Sequence, residues 1–109
     1  MFEAEENMTY DQFQQELRQS EYSVLYFQGK GCSVCHALLP KIENLVKSRF
    51  PEVKLHVIDL QEDPEISGQL CVFTVPFILV FNYDKECARI RGNNALTIIE
   101  KEIRHAIEK

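Results

Sequence analysis

Two cysteines, Cys32 and Cys35, stand three residues apart where the chain changes from one hydrophobic pattern to another. The apolar run 22–27 before them predicts a strand, and the amphipathic stretch 33–50 after them predicts a helix. A thiol in the first turn of a helix lies against unpaired backbone N–H groups and the positive end of the helix dipole, and both favour the thiolate. A second thiol one turn later is close enough to form a disulfide with it. The pair therefore predicts redox chemistry at a strand-to-helix corner.

Length and composition indicate one soluble globular domain. The 109 residues are 45% hydrophobic and 27% charged, as expected of a domain that can bury a core without disulfide staples. The net charge of −5 argues against nucleic acid as a partner, because phosphate binding requires clustered cations. The longest apolar run, 70–81, is too short to span a bilayer, so no membrane partner is expected.

The first six residues, Met-Phe-Glu-Ala-Glu-Glu, are acidic and lack the basic and apolar regions of a signal peptide. We therefore expect a cytoplasmic location. In that reducing compartment a Cys-x-x-Cys pair is more often catalytic or metal-binding than structural.

Hydrophobic periodicity and turn residues predict an alternation of helices and strands. The predicted helices cover about 9–19, 33–50, a short segment that opens at 63–65 and ends before 75, and a last helix from 94, and the predicted strands cover 22–28, 53–60, 77–82 and 87–91. Thr9 and Asn94 are the expected N-caps of the first and last helices. The first two strands should be parallel and the last two should form an antiparallel hairpin. Residues 1–8 are expected to be loosely ordered and 9–109 to form the single domain.

Four features together resemble the thioredoxin superfamily over residues 9–109. They are Cys32-Ser-Val-Cys35 at the strand-to-helix corner, Pro40 inside the following helix, Thr74-Val75-Pro76 before a strand, and Gly92 after the hairpin. The resemblance implies an α/β thioredoxin fold, with a mixed central β-sheet and helices on both faces. It also implies a cis Val75–Pro76 bond packed against the cysteine pair.

The activity that this resemblance implies is thiol–disulfide oxidoreduction, with Cys32 as the attacking thiol and Cys35 as the resolving thiol. The two would form the redox disulfide Cys32–Cys35, with no cofactor and no metal. Expected partners are protein or small-molecule disulfides and a reducing partner such as a thioredoxin reductase, acting in cell redox homeostasis. A monomer is expected.

The resemblance also implies a substrate-binding surface around the cysteine pair. Its expected members are Gly31, Ser33, Thr74, Val75, Pro76 and Gly92. The Val75 backbone would pair with an extended substrate segment as a short additional strand.

The sequence departs from thioredoxins proper beneath the site. Tyr26 stands where those proteins carry a buried acid, and Val57 where the partner lysine stands. Gly31 replaces the tryptophan before the first cysteine. Tyr26, and His36 next to the second cysteine, are therefore the residues expected to modulate the pKa values of the cysteines.

Three alternatives stay open at this point. The chain could be a thioredoxin-fold interaction module without redox activity, or Cys71 and Cys87 could join the pair in a zinc site. Cys-x-x-Cys-His also matches the attachment motif of c-type haem. Cys71 and Cys87 are otherwise expected to be small, partly buried hydrophobic residues. His56 and His105 are expected to be surface or internally satisfied side chains.

Overall fold

The computed structural model describes residues 2–3 and 8–108. Within them the strands are β1 (Phe2–Glu3), β2 (Tyr22–Gln28), β3 (Lys54–Asp59), β4 (Phe77–Asn82) and β5 (Lys85–Arg91), and the helices are α1 (Tyr10–Leu17), α2 (Ser33–Arg49), α3 (Pro64–Gln69) and α4 (Leu96–Ile107). No helix in this described part of the chain is long and apolar enough to cross a membrane.

The strands form one mixed sheet in the order β1-β3-β2-β4-β5. β2 is parallel to β3, and β1 adds to the far side of β3 in parallel. β4 is antiparallel to β2, and β5 is antiparallel to β4. The predicted parallel pair and the predicted hairpin are both confirmed.

Helices cover both faces of the sheet because its central strands are apolar on both sides. Along β2, Val24 and Tyr26 belong to one buried cluster with the inner faces of α2 and α4. Leu25 and Phe27, the alternating residues, belong to a second cluster with α1 and α3. Successive side chains of a strand point to opposite faces, so an uninterrupted apolar run is what a doubly covered sheet requires. This is the α/β arrangement with a mixed sheet that the sequence predicted.

Of the two predicted N-cap residues, one is confirmed and one is wrong. Thr9 caps α1 as predicted: its hydroxyl accepts a hydrogen bond from the Gln12 N–H, and the Gln12 side chain accepts one from the Thr9 N–H. The prediction of Asn94 as the cap of α4 is wrong, because Ala95 occupies the N-cap position. The Asn94 amide instead donates to the Arg91 carbonyl and ties the end of β5 to the following turn.

The N-terminal segment 1–8, for which loose order is the expectation, contains one short strand. Phe2 and Glu3 form the edge strand β1, in register with His56 and Val57 of β3. A two-residue strand is too short to show periodicity, so the hydrophobic pattern does not predict it. Residues 1 and 4–7, to which the same expectation applied, lie outside the described residues.

His56 is a fully buried residue of β3, whereas His105 is exposed on α4. The imidazole of His56 contacts the Phe13 ring edge-on, with 5.6 Å between ring centroids. Burial, helped by the positive charge of Lys54, lowers the pKa of His56 from its ordinary 6.5 to about 4. The folded protein therefore holds this imidazole in its neutral form at neutral pH.

This burial predicts a loss of stability in mild acid. In the unfolded chain His56 binds a proton near its ordinary pKa, whereas the folded state resists protonation until about pH 4. Stability is therefore complete above the unfolded pKa and falls as the pH drops below it, by about 2 kcal/mol in the free energy of unfolding between about pH 7.5 and about pH 5. Urea titrations at the two pH values measure the difference.

Replacement of this imidazole should remove most of the pH dependence in that window. The variant His56→Leu should lose it, and His105→Gln, which changes an exposed histidine, should retain it. An equal drop in wild type and His56→Leu would contradict the assignment.

Candidate active site

Strand direction brings three loops to one edge of the sheet. β2 ends at Gln28, and its residue Phe27 lies opposite Phe77, the first residue of the antiparallel strand β4. Phe77 in turn lies opposite Arg91, the last residue of β5. The loop after β2, the loop before β4 and the loop after β5 therefore meet.

The cysteine pair occupies the first of these loops and the start of α2. Cys32 is the N-cap of α2, and Cys35 lies in the first turn of the helix. Their sulfurs are bonded at 2.11 Å, with the Cα atoms 5.3 Å apart. The Cys35 backbone N–H donates to Cys32 Sγ at 3.2 Å. The predicted redox disulfide is present in the structure.

The two sulfurs differ in how they can be reached. Cys32 is partly exposed, whereas Cys35 is fully buried. An external thiol or disulfide can therefore reach Cys32, and Cys35 exchanges only through Cys32. The N–H that donates to Cys32 Sγ is one of the orphan donors of the helix start, so it is already placed to stabilise a thiolate there.

The loop before Cys32 is held by two hydrogen bonds from backbone N–H groups and by a glycine with positive φ. Gly31 has a φ of +76°, a conformation that glycine adopts without the steric cost of a side chain. The Cys32 N–H donates to the Gly29 carbonyl at 3.2 Å. The Lys30 N–H donates to Oε1 of Gln61, from the loop after β3, at 3.1 Å. Gln61 was not among the residues predicted for the site, since its only signal in the sequence is its place directly after a buried strand.

The second loop carries the predicted cis bond, Val75–Pro76. A methyl group built on Gly29 would lie 3.5 Å from Cγ2 of Val75. The Val75 side chain is therefore next to the backbone that leads into Cys32. Val75 lies between α3 and β4, outside both elements. In the described part of the chain no backbone hydrogen bond uses its N–H or its carbonyl.

Gly92 supports this loop from beneath and is not part of the exposed surface. It is buried, and its N–H donates to the Pro76 carbonyl at 3.0 Å. A methyl group on Gly92 would lie 2.7 Å from Cβ and Cγ of Pro76 and 2.8 Å from its carbonyl oxygen. The prediction of Gly92 as a surface residue is thus corrected: the proline ring covers it, and only a hydrogen atom fits between them.

The other predicted surface residues are accessible. Gly31, Ser33 and Thr74 are exposed, and Val75 and Pro76 are partly exposed. The structure therefore brings the predicted substrate-binding residues to the same edge as the cysteine pair, with Gly92 as their support.

Tyr26 is a buried anchor for the start of α2. Its hydroxyl donates to the Cys35 carbonyl at 2.6 Å, and the side chain is fully buried. Burial raises the pKa of Tyr26 to about 12, so the phenol stays neutral at neutral pH. It can position the helix that carries Cys35, but it cannot act as a proton acceptor there.

His36 lies on the outside of the same helical turn. It is exposed, and within the described residues no hydrogen bond joins its ring to either sulfur. Any influence of His36 on the cysteines is therefore electrostatic and screened by solvent.

The two remaining cysteines do not join the pair. Cys71 follows α3 and is exposed, and Cys87 packs beside the cluster under α2 and α4. In the described part of the chain no three histidine, cysteine or acidic side chains are grouped so that they could hold a metal ion. The four thiols therefore do not form the zinc site that the sequence left open.

Comparison with known proteins agrees with this geometry. A family model described as "Thioredoxin" matches residues 5–105. The thioredoxin-like protein YdfQ of Bacillus subtilis is 40% identical over 65 residues, which span 60% of this chain and 57% of that protein. The thioredoxin of Rickettsia bellii is 32% identical over 86% of this chain and 91% of its own length. The structure of thioredoxin 1 from Thermosipho africanus superposes with a TM-score of 0.70 at 32% identity, over 79% of this chain and 94% of that one.

The close packing of Pro76 on Gly92 can be tested by adding one methyl group at position 92. Gly92→Ala should lower the free energy of unfolding by about 1–3 kcal/mol, because the added methyl group must displace a proline ring and a backbone carbonyl. Gly68→Ala is the matched control, since nothing lies within 4 Å of the methyl group that it adds. Within α3 that control should be neutral or stabilising, by up to about 1 kcal/mol. Equal stability of Gly92→Ala and wild type would contradict the contact.

Proposed function

The chain belongs to the thioredoxin family, and from that premise we propose that its cysteine pair reduces disulfide bonds in protein substrates. The matched family and the Cys32–Cys35 pair make the chain a thiol–disulfide oxidoreductase. One observation carries the proposal: a partly exposed Cys32 at a helix start is bonded to a fully buried Cys35. The reaction direction, the substrates and the electron donor are the parts proposed here.

The first step is attack by the Cys32 thiolate of the reduced protein on one sulfur of a substrate disulfide. A bond forms between Cys32 Sγ and that sulfur, and the other substrate sulfur leaves as a thiolate and takes a proton. The Cys35 N–H, which donates to Cys32 Sγ at 3.2 Å, favours the thiolate from which this step starts.

The second step is attack by Cys35 on Cys32. Cys35 loses its proton, its sulfur bonds to Cys32 Sγ, and the remaining substrate sulfur leaves as a thiol. Two electrons have then passed from the protein to the substrate. Tyr26 stays neutral because of its raised pKa, so the proton of Cys35 passes to solvent or to a group on the substrate.

The Val75 backbone is the proposed docking point for the substrate chain. Among the described residues, no backbone hydrogen bond uses its N–H or its carbonyl. An extended substrate segment could form a hydrogen bond with each of them. Because this pairing uses backbone atoms, which every substrate residue has, it can accept many different sequences next to the substrate disulfide.

Protein substrates, as opposed to small disulfides alone, are favoured by the exposed apolar residues of this region. Phe73 is 74% exposed, two residues before Val75, and Val34 is 59% exposed, between the two cysteines. Both residues lie within or beside the cysteine pair or the Val75 loop in sequence, and exposed apolar side chains grouped beside a reactive site are typical of an interaction surface. We propose that they cover apolar residues beside the substrate disulfide.

A reducing compartment, the cytoplasm, is the proposed setting. The exposed Cys71 and the partly exposed Cys87 are free thiols, and exposed thiols persist more readily where glutathione and thioredoxin systems keep them reduced. There a thioredoxin reductase or another thiol donor would recharge the pair. We propose that the protein does this as a monomer in cell redox homeostasis.

Turbidity of insulin, with dithiothreitol as the electron source, tests the activity. Wild type should accelerate insulin precipitation, and Cys32→Ser should abolish the acceleration because the attacking thiol is lost. Cys35→Ser should trap mixed disulfides with substrates, visible on non-reducing gels. Cys71→Ser is the matched control and should keep full activity. A wild-type protein without activity would instead favour the redox-inactive interaction module.

Phe73 tests the preference for protein substrates. Phe73→Ser should lower kcat/KM for insulin by about tenfold, because part of the apolar burial in the complex is lost. The rate with a small aromatic disulfide should stay within about twofold of wild type, since a small molecule cannot cover the same surface. Ile98→Ser is the control: Ile98 is 46% exposed on α4, and its change should affect neither rate. Equal losses for insulin and the small disulfide would contradict a role for Phe73 in protein docking.

A further inference from the structure

We propose that Arg91 selects substrates that carry a carboxylate beside their disulfide. The inference rests on the proposed function and concerns the substrate class of the same site. Arg91 would bind an Asp or Glu side chain of the substrate segment that pairs with Val75.

The position of Arg91 follows from the sheet. It is the last residue of β5 and lies opposite Phe77, the residue that follows Pro76. A groove of about 340 Å³ runs between the two loops at this edge; it is lined by Thr74, Val75, Pro76, Phe77, Arg91 and Asn93. Half of its lining is thus the loop proposed to dock the substrate, so a docked segment passes within reach of the arginine.

The guanidinium of Arg91 is available to a ligand. Arg91 is exposed, and among residues 8–108 its side chain makes no hydrogen bond or ion pair. Its hydrogen-bonded groups are backbone atoms: Asn94 bonds the Arg91 carbonyl. A planar guanidinium offers paired donors that match the two oxygens of a carboxylate.

Arg89, the other arginine of β5 on this face, has a structural role and provides a comparison for Arg91. The Arg89 guanidinium bonds both oxygens of Glu86, the Cys71 carbonyl at 3.2 Å and the Leu70 carbonyl. All of these partners belong to the protein, so Arg89 holds the end of α3 against the sheet. Arg91, two residues further along the same strand, has no such partner in the described structure.

The positive charge of Arg91 favours a substrate carboxylate as the group that binds in this groove. The chain as a whole carries a net charge of −5, which repels acidic proteins at long range. A cation that lines the docking groove offsets this repulsion locally and attracts a carboxylate there. It also disfavours a substrate with Lys or Arg at the same place, because like charges would then meet.

Disulfide-bonded peptides test the inference directly. In each peptide a single position near the cysteine carries either Glu or Gln, and the position is varied from peptide to peptide. The value of kcat/KM is measured for each with dithiothreitol as electron source. At the position that faces Arg91, wild type should prefer Glu over Gln by about two- to fivefold at low salt, as expected of an exposed ion pair. The preference should fade as salt is raised from about 20 mM to about 500 mM. The rate of each peptide with dithiothreitol alone corrects for its intrinsic reactivity.

Variants assign the preference to this side chain. Arg91→Gln should bring the Glu-to-Gln ratio to about one, and Arg91→Glu should invert it. Arg49→Gln, which removes the same charge from an exposed arginine at the end of α2, should keep the wild-type ratio.

The outcomes separate the two proposals. A wild-type ratio of one at every position, or an unchanged ratio in Arg91→Gln, overturns the role of Arg91 while the reductase activity stands. Failure of wild type to reduce any of the peptides overturns the proposed function, and the inference with it.

Discussion

The antiparallel pairing of β2 with β4 is the constraint on which the site depends. It sets Phe27 opposite Phe77, so the beginning of β4 lies beside the end of β2. A parallel β4 would have placed the Val75–Pro76 loop at the opposite edge of the sheet, far from the cysteines. Strand direction thus accounts for the meeting of loops that are more than forty residues apart in sequence.

The floor of the site is neutral and apolar, with one anchored hydroxyl. Tyr26 and Val57, neighbours in the register of β2 and β3, take the two positions at which, by the resemblance, thioredoxins proper carry a buried acid and its lysine partner. Replacement of both charges together leaves no unpaired buried ion, so the fold tolerates it. The Tyr26 hydroxyl is used on the Cys35 carbonyl, which fixes the helix that carries the resolving thiol. In the proposed mechanism the proton of Cys35 therefore leaves to solvent or to a substrate group, because the neutral Tyr26 cannot accept it.

Elements with a long and regular hydrophobic pattern could be predicted from the sequence. The run of β2 that is apolar on both faces, the amphipathic face of α2 and the hairpin of β4 and β5 follow from periodicity, and their apolar residues contribute to the two buried clusters. The predictions were wrong at short or polar features. β5 begins at Lys85, two residues before the predicted start, because its first residues are exposed and charged. The cap of α4 was misplaced because Asn94 bonds backward to Arg91, a contact that sequence spacing alone does not distinguish from a cap.

By itself the sequence determined the local chemistry of the site: a thiol pair at the start of a helix, a glycine turn before it, and a proline before a strand. These features depend on residues close together in the chain, where backbone preferences and helix ends act directly. Only the tertiary structure decided that Gly92 lies beneath Pro76, that Gln61 holds the Lys30 backbone, and that Arg91 lines the groove beside Val75. Those contacts join residues from separate elements, and they depend on strand order and register, which are set by the packing of the whole core.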